Sequence, residues 1–326
     1  MRVLAGDIGG TKTVLAIAEI EPSGVRFVDE KRYDSHAFAG LDTIIDRFVA
    51  ETPSAFERAG FGIAGPVIGG VCRATNLPWV VASSTISSRL RKPVALINDF
   101  EAVALGVGKL DAANLVTIQA GTRVDDAPIA IIGAGTGLGE AFLVSNGTRR
   151  IVVPSEGGHA DFAPRDERQI GLLRRLIAKF GRVSYERVVS GMGLIEIYHY
   201  LRDERIAPES PAVRAALARG EDLGAVVGKH AVDGDDPLCT ATIDLFVDVY
   251  GAEAGNAALK VVARGGVYLA GGIAPKILSK LTDGRLRAAF VDKGRFRPLL
   301  ETIPLWVVTH ANAGLVGAAF AASQAE

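Results

Sequence analysis

Val3-Leu4-Ala5-Gly6-Asp7-Ile8-Gly9-Gly10-Thr11-Lys12-Thr13-Val14-Leu15-Ala16-Ile17 is the stretch whose reading decides the fold. A short apolar run, Val3 to Ala5, gives way to Asp, Gly and Thr at Asp7 to Thr11, which is turn chemistry, and an apolar run resumes at Val14 to Ile17. The pattern predicts strand, turn, strand. It recurs further on: Ile129 to Ile132 is apolar, Gly133 to Gly139 is a Gly/Thr turn, and Ala141 to Val144 is apolar again. A degenerate repeat of a whole unit constrains architecture before any single residue does. Here it predicts two α/β halves.

Working outward, Glu21-Pro22-Ser23-Gly24 reads as a second turn before a strand at Val25 to Val28. Leu41, Ile44, Ile45, Phe48 and Val49 have helical spacing. Val94 to Ile97 is a short strand ending at Asn98-Asp99, with helix expected over Ala102 to Val107. Helical spacing dominates 169–189 and 241–262, and Val267 to Ala270 is a further strand closed by Gly271-Gly272. Asn146 to Pro154 and Ala207 to Pro211 read as loops.

At 326 residues the chain suits two domains at roughly 150 residues each. Its composition, 48% hydrophobic and 22% charged, is that of a globular protein. A net charge of −1 offers no footprint for nucleic acid or an anionic membrane. The two cysteines, Cys72 and Cys239, are far apart and join no metal-ligand spacing, which favours a reducing compartment. Met1 to Ala5 is too short for a signal-peptide core, and Ala311 to Ala322 falls short of the ~20 residues that cross a bilayer. A cytoplasmic location is expected.

The two glycine turns carry the first chemical signal. Gly6 to Thr11 offers consecutive backbone N–H groups with little side chain in the way, an anion-binding arrangement. Neither common phosphate-loop pattern is present, and in both of those a helix follows the loop where here a strand does. Asp7 sharpens the reading, because a carboxylate beside phosphates is repulsive unless a cation such as Mg²⁺ lies between. A solvent-facing hairpin is the plain alternative for one such turn. Four glycines in the second turn exceed what a hairpin needs, so the pair suggests two clamps on a polyphosphate, with Gly271-Gly272 a third close approach.

Asn98-Asp99 follows a strand at the end where open α/β sheets bind ligands. Asp99 is the candidate general base for a hydroxyl that attacks phosphorus; a helix N-cap is its ordinary alternative. Glu156-Gly157-Gly158-His159 brings a carboxylate and an imidazole into one loop, suited to sugar hydroxyls. Asp161 nearby makes a Glu/His/Asp metal site a rival, without a second His or Cys to support it. On its own residues Glu186 reads as half of a surface ion pair.

Taken together, Gly6 to Thr11, Ala74-Thr75-Asn76-Leu77-Pro78-Trp79, Ile97 to Ala102, Gly133 to Gly139, Glu156-Gly157-Gly158-His159-Ala160-Asp161-Phe162-Ala163-Pro164, Ser184 to Gly191 and Leu269 to Ile273 resemble the bacterial glucokinase family of the hexokinase, actin and Hsp70 ATPase superfamily. The Glu-Gly-Gly-His run is the specific part. The resemblance implies an α/β, two-lobed actin-like (ribonuclease-H-like) fold with a cleft between lobes, each a mixed sheet flanked by helices. The small lobe would be 1–108 completed by 301–326, and the large lobe 109–300. It implies ATP-dependent phosphorylation of glucose with Mg²⁺ near Asp7, directly or through water, and leaves room for a homodimer. Asp99 would be the base, with Asn98, Asp99, Glu156, His159 and Glu186 on glucose. Gly6, Asp7, Ile8, Gly9, Gly10, Thr11, Gly135, Thr136, Gly137, Gly271 and Gly272 would hold the nucleotide. Rivals are a kinase for mannose, fructose or an N-acetylhexosamine, and a sugar-sensing regulator, for which five residues before Gly6 leave no DNA-binding module.

Overall fold

The computed structural model describes residues 1–21, 24–147 and 150–325, and divides into two compact units. The first comprises Met1–Asn114, Val152–Pro154 and His310–Glu326; the second comprises Leu115–Ile151 and Ser155–Thr309.

In the first unit, β1 (Arg2–Ile8), β2 (Lys12–Glu21) and β3 (Gly24–Asp34) form antiparallel neighbours. Strand β4 (Arg58–Ile63) runs parallel to β1; β5 (Val67–Ile68), β6 (Val71–Arg73) and β7 (Val80–Ala82) form a small ribbon; β8 (Val94–Asn98) runs parallel to β4. The main sheet is thus ordered β3-β2-β1-β4-β8 among the described residues.

The second unit repeats this plan. Its sheet comprises β9 (Leu115–Gln119), β10 (Ile129–Ala134), β11 (Leu138–Ser145), β12 (Arg150–Ser155, of which Val152–Pro154 are counted with the first unit), β13 (Gly266–Ala270) and β14 (Leu305–Val308), ordered β12-β11-β10-β13-β14-β9. An antiparallel hairpin, β10 with β11, is followed by parallel β13 and β14, and antiparallel β9 is added at the edge. Third, second, first, fourth, fifth is the order in both sheets. The internal repeat read from two Gly/Thr turns is real at the level of topology, and the chain is α/β.

Some boundaries differ from expectation. Gly6, Asp7 and Ile8 lie inside β1, paired with Leu15, Val14 and Thr13, so the first turn proper is only Gly9 to Thr11. The segment read as a loop from Asn146 is a strand from Arg150, at the exposed edge of its sheet, where alternating exposed side chains and Pro154 hide the strand signal. The expected turn at 21–24 falls partly on Pro22 and Ser23, and the loop at 146–154 partly on Thr148 and Arg149, which lie outside the described residues. The expected helix over 169–189 ends at Phe180, where Gly181 turns at φ +75°.

The alternation of β1 and β2 determines what covers the first sheet. Leu4, Ile8, Leu15 and Ile17 face Leu41, Ile44, Ile45 and Phe48 of the helix Leu41–Glu51. Val3, Ala5, Val14, Ala16 and Ala18 face Leu315, Ala318, Ala319 and Ala322 of the helix Ala313–Ser323. That second helix also packs on Asp99–Val107 at backbone distance. A Cβ on Gly317 would overlap the Ala102 carbonyl oxygen, and one on Gly106 would overlap that of Ala313. In the second unit the helix Pro237–Val261 runs through the core, with Phe246 and Tyr250 fully buried. No described helix is long and apolar enough to cross a membrane.

Gly317→Val is expected to force the helix Ala313–Ser323 off Asp99–Val107. Overpacking against backbone, which cannot rotate away, costs about 3 kcal/mol. The loss should appear as a lower midpoint in urea denaturation.

Candidate active site

The first unit brings together Asp7, the Gly9–Thr11 turn, Asn98 and Asp99. Strands β1 and β8 are both parallel neighbours of β4, so their carboxyl ends lie on one edge of the sheet. Asp7 sits at the end of one and Asn98-Asp99 at the end of the other.

Asn98, rather than Asp99, is the N-cap of Asp99–Val107. Its Oδ1 accepts from Phe100 N at 2.8 Å and Glu101 N at 3.2 Å, and Glu101 Oε2 accepts from Asn98 N at 3.3 Å, a capping box. Its Nδ2 donates to the Gly65 carbonyl at 3.0 Å. Asp99, relieved of capping, accepts from Phe100 N at Oδ1, 2.9 Å away. Its carboxyl is pushed up to about 6, by burial first and by the negative charge of Asp7 second; hydrogen bonds, among them that from Phe100 N, oppose the rise. Burial also raises Asp7, with the Lys12 charge opposing. Two partly buried carboxylates with raised proton affinity are a site short of positive charge, and the oxygen donors suit a divalent cation.

In the turn, Gly9 N is spent on Lys12 O at 2.9 Å, while the N–H groups of Gly10 and Thr11 make no hydrogen bond among the described residues. Gly10 is a glycine for steric reasons, because a Cβ would lie 2.6 Å from Asn76 Cβ. Gly6 and Ile8 belong to the core: a Cβ on Gly6 would lie 2.5 Å from Phe61 Cδ1, and Ile8 is buried.

The second unit assembles the other set. The turn between β10 and β11 is Gly135 to Gly137, closed by Gly135 N to Gly137 O at 2.8 Å. The N–H groups of Thr136 and Gly137 have no partner among the described residues. Glu186 Oε2 accepts from Leu138 N at 3.0 Å, and a Cβ on Gly137 would overlap that carboxylate. Gly191 N donates to Gly135 O at 2.8 Å. The glycine turn is therefore bonded to the 186–191 segment on both sides. His159 stands between two carboxylates, Nε2 at 3.9 Å from Glu156 and Nδ1 at 3.8 Å from Glu186. Glu156 and His159 are 73% and 56% exposed and Glu186 21%, so all three reach solvent.

Among the described residues no Lys or Arg pairs with Glu186; its contacts are Leu138 N and the His159 ring, which is a cation only when protonated. Asp161 pairs with Arg182 at 2.7 Å, and no described cluster of three His, Cys, Asp or Glu side chains is placed to hold a metal. The glycines of the 156–159 loop are required by crowding. Cβ atoms on Gly157 and Gly158 would overlap the Glu140 carboxylate and the Leu138 carbonyl of β11. Glu140 escaped the sequence reading; its signal is a charge inside the apolar run Leu138 to Val144. Gly271 closes β13 with φ +85°, and a Cβ there would overlap Ala134 O, whereas Gly135 and Gly272 would meet nothing.

The glucokinase family model matches residues 4–325. A glucokinase of Trichormus variabilis is 46% identical, covering 99% of both chains, and one of Photorhabdus laumondii is 35% identical, covering 96% of this chain and 94% of the relative. Among solved structures, a glucokinase from an Antarctic psychrotroph matches with TM-score 0.84 at 30% identity over 99% of each chain. A ROK-family glucokinase of Streptomyces griseus, solved with glucose and AMPPNP, matches with TM-score 0.67 at 22% identity over 99% of this chain and all of that one, a likeness of fold. The two repeated mixed sheets are the actin-like ATPase arrangement. With one family model spanning nearly its whole length and full-length relatives near half identical, the chain belongs to the glucokinase family.

Proposed function

We propose that the chain transfers the γ-phosphoryl group of ATP to the 6-hydroxyl of glucose, giving glucose 6-phosphate and ADP. One observation carries the chemistry: Asn98 does the capping, which leaves Asp99 a carboxylate whose proton affinity is close to what a general base needs. As the C6 oxygen bonds to phosphorus, its proton passes to Asp99, and the bond from phosphorus to the β–γ bridging oxygen breaks to release ADP.

Glu156, His159 and Glu186 pair the remaining hydroxyls; the carboxylates accept hydrogens, and His159 donates or accepts according to its tautomer. Asn98 adds its side-chain amide to this set. The unpaired N–H groups of Gly10, Thr11, Thr136 and Gly137 are donors for phosphate oxygens. Gly135 and Gly272 lack a Cβ where the fold has space for one, which supports room kept for the nucleotide, with Gly271 turning the backbone beside it. Gly6 and Ile8 contribute by packing beneath the turn. Asp7 would hold Mg²⁺, directly or through water, and the ion would supply neutralisation of phosphate charge. The net charge and the isolated cysteines support a cytoplasmic setting.

The test is a panel of glucose, mannose, fructose and N-acetylglucosamine with ATP and Mg²⁺ in an ADP-coupled assay. Glucose is expected to give the highest kcat/KM; a higher value for another sugar would reassign the substrate. Asp99→Asn should still bind glucose and nucleotide by calorimetry, while kcat falls at least ~10²-fold. Normal turnover in that variant would remove Asp99 from the mechanism. Because only ionised Asp99 accepts a proton, kcat/KM, which reports the free enzyme, should rise with pH through about 6 and level off above it, which a stopped-time pH series measures.

A further inference from the structure

The proposed reaction gives Glu140 no task. It lies on β11, three residues past the Gly135–Gly137 turn, and is buried. Neither carboxylate oxygen has a hydrogen bond among the described residues, and Lys260 Nζ stands 3.8 Å from Oε2. Glu253, fully buried on the helix Pro237–Val261, takes the better contacts: Lys260 Nζ donates to it at 3.0 Å and Asn256 Nδ2 at 2.8 Å. Asn256 also donates to the Tyr185 hydroxyl at 3.0 Å, one residue before Glu186. On its outer side Glu140 carries the loop, since its Oε2 occupies the place a Gly157 Cβ would need. Gly157 N is turned to Ser155 Oγ at 3.0 Å.

A buried carboxylate without hydrogen bonds is costly and calls for a reason. We propose that Glu140, in contact with Lys260 and Glu253 below and Gly157 above, is a positioning residue that sets where the loop bearing Glu156 and His159 stands. The proposal rests on the reading of those two side chains as hexose ligands. Ionised, Glu140 is drawn toward Lys260 and supports Gly157 from below; protonated, it turns its hydrogen to Glu253 and the support is lost.

Burial, and then the Glu253 charge, push Glu140 up to about 7, with Lys260 pulling the other way, so both forms occur near neutrality. The groups facing it are Glu253, Lys260 and the Tyr250 phenol from the helix. Its partner on β10 is Ile132, and from the loop side the Gly157 backbone faces it. Lys293, bonded to Asn256 Oδ1 at 2.6 Å, is one step further out and is itself pulled down to about 8, by burial and then by the Arg165 charge.

The experiment is calorimetric glucose binding at pH 6 and pH 8 for the full chain, Glu140→Gln and Glu156→Ala, with a non-hydrolysable ATP analogue as control. The full chain should bind glucose more tightly at pH 8 than at pH 6. Glu140→Gln should be weak at both, by about tenfold at pH 8, the effect of removing an outer partner that orients a ligand group; nucleotide affinity should not change. If Glu140→Gln binds glucose as the full chain does at pH 8 while Glu156→Ala is weak, the proposal is overturned and the hexose loop stands. If both bind normally, the hexose loop falls and the proposal with it. Should Glu140→Gln not fold, Lys260→Met reads the same support from the other side, and unchanged glucose affinity at pH 8 in that variant overturns the proposal.

Discussion

A helix cannot begin without something to satisfy its first N–H groups, and in this chain that need is met by the Asn98 side chain and the Glu101 carboxylate. Had the cap been Asp99, further backbone amides would have been tied to its oxygens and would have pulled its proton affinity down against the rise that burial causes. Placing the cap one residue earlier leaves the carboxylate at the end of β8 poorly solvated and close to Asp7. The helix it heads is held in place by the absence of side chains at Gly106 and Gly317, so its position is set by backbone contact.

Much of this was legible beforehand, and what was not has identifiable causes. Strand and turn could be read at Val3 to Ile17 and Ile129 to Val144 because apolar runs broken by Gly and Thr have few other interpretations. The exact end of β1 could not, since Asp7 and Ile8 suit a turn and a strand end equally. The strand Arg150–Ser155 was hidden because an edge strand buries little. Asn98 and Asp99 were recognisable as a polar pair after a strand, yet which of them caps depends on one backbone angle. Glu186 was opaque because its partner, Leu138 N, is 48 residues away in sequence. Glu140 was overlooked for the opposite reason: a single charge in an apolar strand looks like an exposed position until the neighbouring chain is seen to cover it.

Glycine is usually explained by backbone freedom, but at these sites the commoner reason is crowding. Gly10, Gly137, Gly157 and Gly158 each face an atom that occupies the space of a Cβ, while of the glycines in the two hairpin turns and the Gly271 pair only Gly271 has positive φ. The glycine-rich pattern is thus largely a record of how closely β11, the 156–159 loop and Glu186 approach one another. Gly135 and Gly272 are different in kind, since nothing in the protein itself excludes a side chain there.

The helix Ala313–Ser323 covers the face of the first sheet formed by Val3, Ala5, Val14, Ala16 and Ala18, three hundred residues earlier in the chain. Nearly all of the second unit, within residues 115–309, lies between the two in sequence. Covering that face therefore needs contacts of very long sequence separation, whose loop-closure entropy is spent before the burial repays it.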